Sequence, residues 1–189
     1  RRVFSLCADL VGFGADPARA GHELYERESP GKLRLLQHFL TEIGRDMLTW
    51  TDIETRAIAF QKRWKDCTGD ERQDAQTFEK DFMYVFGVDW HDGLHEHPII
   101  SIDGVQNYID YFIPGKIMIE MKSRGKSLDV AFTQAMQYVR ALKPEEQPAL
   151  VVVSDFDTIK VYNTSKQHHY KSFKVTALKS HVRIFSLLT

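Results

Sequence analysis

The chain has 189 residues, of which 43% are hydrophobic and 27% charged, and its formal net charge is -1. This composition is typical of a globular protein, and the near-neutral charge weakens a nucleic-acid hypothesis, although a local basic cluster can suffice. No apolar run approaches the roughly 18 residues that span a bilayer, so we expect no membrane association. Cys7 and Cys67 have no paired spacing, which argues against a disulfide framework or a structural zinc site and favours the cytoplasm.

The first 46 residues differ from the rest because glycines and prolines divide their first part into short pieces. Within this segment, only Leu33–Ile43 has the pattern of a short amphipathic helix. We therefore predict a partly helical N-terminal extension over residues 1–46, followed by one main domain over residues 47–189.

The main domain opens with two predicted helices. Thr51 to Glu54 match a capping box, and Ile53, Ala57, Phe60 and Trp64 then recur at helical spacing. A polar loop over residues 67–76 precedes a second helix over 77–87, whose apolar stripe is Phe78, Phe82, Val85 and Phe86. Gly87 is a plausible end for this helix, and residues 90–98 are predicted to form a loop.

Strands then alternate with helices. Residues 99–103 and a hairpin over 108–121 supply three strands, and a helix over 127–142 follows. The continuous apolar run at 149–155 indicates a central strand that is buried on both faces. A further strand at 158–163 and a closing helix at 175–188 complete the order α-α-β-β-β-α-β-β-α, which predicts an α/β fold.

The hairpin carries polar residues where a strand should be apolar. A turn at Pro114-Gly115 makes Ile113 face Ile117, and counting outward sets Asp110 opposite Glu120. Opposed side chains have Cβ atoms about 4.5–5.5 Å apart, so the two carboxylates repel unless a proton or a cation lies between them.

Magnesium suits such a pair because it prefers hard oxygen ligands, often carboxylates together with water and a phosphate. Lys122 points to the same side and could orient or deprotonate a water during phosphodiester hydrolysis. We expect one face of the hairpin to seal the core and the other to assemble this metal site.

Each candidate site residue also has a structural explanation that involves no catalysis. Asp110 and Glu120 could be solvated or salt-bridged on an exposed sheet face. Gln134 and Tyr138 are four residues apart and share one helix face, but Tyr138 on its own is typical of core packing. Glu79 on the second helix is typical of a solvated helix face.

The segment from Asp110 through Glu120-Met121-Lys122, followed by the helix with QAMQY (Gln134–Tyr138), resembles the PD-(D/E)xK nuclease superfamily with its RecB-like QxxxY helix. WTDIETRAIAFQKRWKD, FEKDFMYVFGVD and PALVVVSDFDTIKVYN extend the likeness. From about Trp50 to the C-terminus the chain resembles the amino-terminal endonuclease domain of MmeI-like (type IIL/IIG) restriction–modification enzymes.

This resemblance implies a PD-(D/E)xK restriction-endonuclease-like core, a mixed central sheet flanked by helices in the order αβββαβ. The predicted N-terminal helical extension lies outside the resemblance. It implies an endonuclease that cuts double-stranded DNA with Mg²⁺, for which Mn²⁺ can substitute. It implies six active-site side chains: Asp110, Glu120, Lys122, Gln134, Tyr138 and Glu79.

Within that set, the resemblance makes Asp110 and Glu120 metal ligands, together with the backbone carbonyl of Met121. Lys122 becomes the catalytic lysine, Gln134 and Tyr138 support the site or the DNA phosphates, and Glu79 adds an acid. Ile109 stands where the superfamily often has proline, a departure that leaves the acidic positions intact.

In such enzymes the polypeptide continues into a methyltransferase and a target-recognition domain, for which this chain has no motifs, so we expect a fragment of a larger enzyme. Two alternatives stay open: a catalytically inactive nuclease fold that binds DNA or a partner, and a nuclease of DNA repair.

Two further clusters of polar residues each have two interpretations. His91, His95 and His97 are more typical of a surface turn than of a zinc site. Lys122, Arg124 and Lys126 could be a solvated loop or could contact the phosphates that flank a cut site, which would position DNA without reading its sequence.

Overall fold

A computed structural model describes residues 48–101, 104–165 and 170–189 of the chain. These residues belong to one compact unit, Leu48–Thr189. The predicted extension over residues 1–46, with its helix at Leu33–Ile43, lies outside the described residues. No helix in the described part is long and apolar enough to cross a membrane.

Helix α1, Trp50–Trp64, buries the four apolar residues that the helical spacing predicted. Its capping box is formed by Thr49 and Asp52, two residues earlier than predicted. The Asp52 N–H donates to Thr49 Oγ1 at 3.2 Å, and Thr49 N–H donates to Asp52 Oδ2 at 3.0 Å. The Thr51–Glu54 prediction was wrong because an aspartate at the third helical position completes this reciprocal pair as well as a glutamate.

Helix α2, Glu71–Val85, begins six residues before its predicted start at Thr77. Asp70 caps it by accepting the Arg72 N–H at 2.9 Å, and Glu71 and Asp74 lie in its first turn, where acidic side chains are favoured. The loop predicted over residues 67–76 is therefore helical from Glu71 onward. Gly87 follows the helix at φ +71°, a left-handed conformation that glycine adopts without strain.

Among the described residues, six strands form one sheet in chain order. The pair β3/β4 is parallel and the other neighbouring pairs are antiparallel. The sheet is therefore mixed, as predicted. Its strands are β1 Leu94–Ile100, β2 Gln106–Ile113, β3 Ile117–Met121, β4 Leu150–Ser154, β5 Thr158–Asn163 and β6 Tyr170–Lys174.

Helix α3, Leu128–Ala141, forms the crossover between parallel strands β3 and β4, and Ser127 caps it. Residues Val175–Leu188 form a 3-10 helical segment with a kink at Phe185. Both elements agree with the predicted helices, and with the sheet they confirm the αβββαβ order.

The edges of the sheet differ from the predictions. Strand β1 includes His95 and His97, which lie in the loop predicted over residues 90–98. It ends at Ile100, so it shares only two residues with the strand predicted over 99–103. Strand β6 was not predicted. Both are edge strands in which a single residue is buried, Ile99 in β1 and Phe173 in β6. The apolar alternation that identifies a strand is weak in such segments.

Two apolar cores cover the two faces of the sheet. Ile117 and Ile119 pack with α1, α2 and the C-terminal segment, whereas Met118 packs with α3. All five residues of β3 are buried. The expectation of one apolar and one polar hairpin face was therefore wrong, because helices cover both faces and the acidic residues lie toward the end of the strand.

Candidate active site

The β2–β3 hairpin sets the register of the acidic residues. Lys116 N–H donates to the Ile113 carbonyl at 3.0 Å across a turn whose Gly115 has φ +72°, the left-handed position that favours glycine. The paired residues run from Ile113–Ile117 to Tyr111–Ile119. One further step in the same register sets Asp110 opposite Glu120.

One residue beyond this step, a side chain of β2 accepts a backbone hydrogen bond from β3. Asp110 Oδ2 accepts the Met121 N–H at 2.7 Å, which fixes the Asp110 carboxylate at the end of β3. Burial raises the pKa of Asp110, while the Met121 N–H and the Lys122 charge act in the opposite direction. Met121 itself is buried and pairs with Ser154 of β4.

Glu120 is 2% exposed, and its two carboxylate oxygens differ in their hydrogen bonding. Its Oε1 accepts a hydrogen bond from Lys122 Nζ at 3.0 Å, whereas its Oε2 is buried without a hydrogen-bond partner. Burial and then repulsion from Asp110 raise the pKa of Glu120 to about 8, against the opposing effect of Lys122. A carboxylate in this position needs a proton or an additional cation.

Glu79, on α2, adds a second buried carboxyl group beside Glu120 and the half-buried Asp110. It is 1% exposed, and both of its oxygens lack a hydrogen-bond partner. Burial first, and then the charges of Asp110, Glu120 and Glu96, raise the pKa of Glu79 to about 9. The alternative of a solvated helix face is wrong. Glu79 lies three residues before Phe82, inside the apolar stripe, and this spacing could have predicted its burial.

Lys122 carries its proton in this arrangement. Burial alone would lower the pKa of Lys122, but the carboxylates of Glu120, Asp110 and Glu71 outweigh it and raise the pKa above its ordinary value. The Lys122 side chain is 20% exposed, so its ammonium reaches both the buried acids and the solvent. As an ammonium it can donate a hydrogen bond or stabilise negative charge, but it cannot accept a proton from water.

Two acidic residues near the site were not predicted. Glu71 Oε1 lies 3.7 Å from Lys122 Nζ. Glu96, on β1, has φ +44°, an uncommon conformation for a residue with a Cβ. The pairing of β1 with β2 skips the position where Glu96 would meet Asp110. The hydrophobic periodicity of the sequence does not indicate that Glu71 or Glu96 lies near the site.

Gln134 and Tyr138, which were predicted to share one face of α3, are in contact. Gln134 Nε2 donates a hydrogen bond to the Tyr138 hydroxyl, and Tyr138 is 1% exposed within the second core. Burial is the main cause that raises the pKa of Tyr138, and the Glu120 charge adds to it, whereas the Gln134 hydrogen bond and the Lys122 charge act in the opposite direction. Tyr138 therefore packs in the core and also lies within the electrostatic field of the acidic residues.

The segment after β3 carries the predicted basic cluster. Arg124 and Lys126 are exposed, and Arg124 is 3.4 Å from Asp157. Asp155 Oδ2 accepts the Gly125 N–H at 3.1 Å, which holds this segment against the end of β4.

The histidines do not converge. His95 stacks on Trp90 with ring centroids 3.5 Å apart, and His97 lies near Phe112. Within residues 48–101, 104–165 and 170–189, no group of three or more His, Cys, Asp or Glu side chains is placed to hold a metal ion. The ligand set predicted from the sequence is smaller, with two carboxylates and one carbonyl. The unpartnered Glu120 Oε2 beside Asp110 fits a hard divalent cation such as Mg²⁺.

Comparisons with known proteins give a family and a fold. The family model described as "MmeI, N-terminal domain" matches residues 55–189, and no curated protein matches the chain. A cryo-EM structure of a DrdV–DNA complex is similar, with a TM-score of 0.50 and 13% sequence identity. The similarity covers 71% of this chain and 14% of the DrdV chain, so this chain spans a small part of that polypeptide.

Proposed function

The chain belongs to the MmeI N-terminal domain family, and from this premise we propose that it is the Mg²⁺-dependent DNA endonuclease domain of a combined restriction–modification enzyme. The observation that carries the proposal is the end of β3. There Glu120 Oε2 is buried and unpartnered, while Lys122 Nζ lies 3.0 Å from Glu120 Oε1. Buried carboxyl groups without partners are costly for a fold alone and are typical of sites that bind a cation.

Asp110, Glu120 and the Met121 carbonyl would hold the metal ion. Bound Mg²⁺ supplies Lewis-acid polarisation of the phosphate and lowers the pKa of a coordinated water. The Asp110 carboxylate is kept in place by the Met121 N–H, so little reorganisation is needed for it to act as a ligand. Lys122 donates a hydrogen bond from its ammonium, which orients a water or stabilises charge that develops on the phosphate.

Double-stranded DNA is the proposed substrate. The similar DrdV structure is a complex with DNA, and exposed Arg124 and Lys126 follow the acidic residues directly, where they could contact phosphates. We further propose that methyltransferase and target-recognition domains are linked to this domain and that the enzyme acts in the cytoplasm. The 14% coverage of the DrdV chain supports a larger polypeptide.

Cleavage of plasmid DNA by the full polypeptide that carries this chain, with Mg²⁺ and with EDTA, tests the proposal. Glu120→Ala and Lys122→Ala should each lower the cleavage rate by about a hundredfold or more while far-UV circular dichroism and DNA affinity are retained. Lys143→Ala and Glu146→Ala are matched controls, because these two residues form an ion pair away from the site, with Lys143 71% exposed. Cleavage at the wild-type rate by either site variant would overturn the proposal.

A further inference from the structure

The start of α2 is fixed to the residue that follows Lys122. Glu71 Oε2 accepts the Ser123 N–H at 3.1 Å, and the Glu71 N–H donates to Ser123 Oγ at 3.4 Å. At the next residue, the Arg124 N–H donates to the Gly69 carbonyl at 3.0 Å. We call the reciprocal pair of Glu71 and Ser123 the clasp. It joins two segments that lie 52 positions apart in the sequence.

The second oxygen of Glu71 is directed to the site. Glu71 Oε1 lies 3.7 Å from Lys122 Nζ, which also contacts Glu120 Oε1 at 3.0 Å. The ammonium of Lys122 is therefore held between one buried carboxylate and one at the surface. Because a lysine side chain has four rotatable bonds, two fixed acceptors restrict its position more than one does.

From this geometry we infer that Glu71 is a positioning residue, which holds the Lys122 ammonium in its working place while the clasp holds Glu71. The inference rests on the proposed function and extends it, since neither the hairpin motif nor the QxxxY helix includes Glu71. The contact comes from the start of α2, which Asp70 caps. The first turn of this helix delivers the carboxylate to Lys122, and the Ser123 hydroxyl accepts one of the backbone N–H groups that a helix start leaves unpaired.

Three variants separate the positioning role from the docking of α2. Glu71→Gln keeps a side-chain oxygen for the Ser123 N–H but removes the charge that faces Lys122. Ser123→Ala removes the hydroxyl half of the clasp and leaves the Glu71 charge in place. Glu54→Gln is the matched control, because Glu54 pairs with Lys179 at 3.8 Å and is 42% exposed, which is similar to the 37% of Glu71.

The measurements are the single-turnover cleavage rate at saturating Mg²⁺ and the DNA dissociation constant of the full polypeptide that carries this chain. Glu71→Gln should slow cleavage about tenfold to a hundredfold, the effect expected of a misplaced reactive group, and change DNA affinity less than twofold. Ser123→Ala should slow cleavage less than Glu71→Gln, and Glu54→Gln should match the wild type. Equal losses in Glu71→Gln and Ser123→Ala, or no loss in Glu71→Gln, would overturn the positioning role.

A second readout does not depend on cleavage. NMR of the Lys122 Nζ and Cε nuclei should show one restrained environment in the wild type and a shifted, more mobile side chain in Glu71→Gln. If the wild type fails to cut DNA but the Lys122 signals change in this way, the proposed function fails and the Glu71 contact stands. Unchanged Lys122 signals in Glu71→Gln would overturn the inference even in an active nuclease.

Discussion

At the turn end of the β2–β3 hairpin, Ile113 faces Ile117, and Ile117 is fully buried. At the other end, the same register sets Asp110 opposite Glu120, which is also buried. The two ends thus share one backbone geometry and nearly the same exclusion of water, but they differ in chemistry. Burial of the isoleucine stabilises the fold, whereas burial of the acids opposes it unless a proton or a cation compensates the charge.

The turn end should respond to truncation with the largest loss of stability. Ile117→Ala removes buried methyl groups from the core and should lower the free energy of unfolding by about 2–5 kcal/mol. Chemical denaturation measures this change. Ile100→Ala is the control, because Ile100 is 69% exposed, and it should change stability by much less. A similar cost for the two variants would show that the turn end is not a packed core.

Neutralisation of Glu79, the buried acid on α2 beside the acidic end of the hairpin, should make stability less dependent on pH. The pKa of Glu79 is raised from 4.5 to about 9, so between about pH 5 and pH 9 the folded state keeps a proton that the unfolded state has released. Stability therefore falls as pH rises through this window. Glu79→Gln should reduce that fall by at least about 1.4 kcal/mol, the equivalent of one pKa unit.

Unfolding by urea at pH 6 and pH 9, without divalent metal, measures this effect. The exposed control Glu54→Gln should keep the pH dependence of the wild type. If Glu79→Gln also kept it, the carboxyl group of Glu79 would not be the titrating group.

Removal of the hydroxyl groups of two tyrosines near these regions should have smaller effects on stability. Tyr111 pairs with Ile119 at the last apolar step, and its buried hydroxyl has no hydrogen-bond partner. Tyr111→Phe should therefore leave stability unchanged or raise it by up to about 1 kcal/mol, and cleavage should not change. Tyr138→Phe removes the acceptor of the Gln134 hydrogen bond and should lower stability by about 1 kcal/mol.

Thermal unfolding of the two variants side by side tests the contrast. Shifts of the same sign and size would mean that the two hydroxyl groups have equivalent surroundings.

The strong local signals in the sequence predicted most of the fold. The run at β4 is apolar throughout because both of its faces are covered, and the helix predicted over 127–142 is α3. Edge strands β1 and β6 gave no such signal, since one residue is buried in each. The start of α2 was misplaced because Asp70 and Glu71 belong to a polar stretch that also resembles a loop.

The site was predictable as far as local geometry determines it. Pro114-Gly115 fixes the hairpin register, and that register brings Asp110, Glu120 and Lys122 together. Glu71 was missed because its contact with Lys122 depends on how α2 docks against the segment after β3. The hydrophobic periodicity of a sequence carries no information about such a contact between distant segments.

Metal binding tests most directly whether the acidic end of the hairpin is a cation site. Crystals of the chain soaked in Mn²⁺ should show an anomalous difference peak between the carboxylates of Asp110 and Glu120, and the peak should be absent in Glu120→Gln. An empty site at high Mn²⁺ concentration in the wild type would contradict the claim and favour a nuclease fold that binds DNA without cutting it.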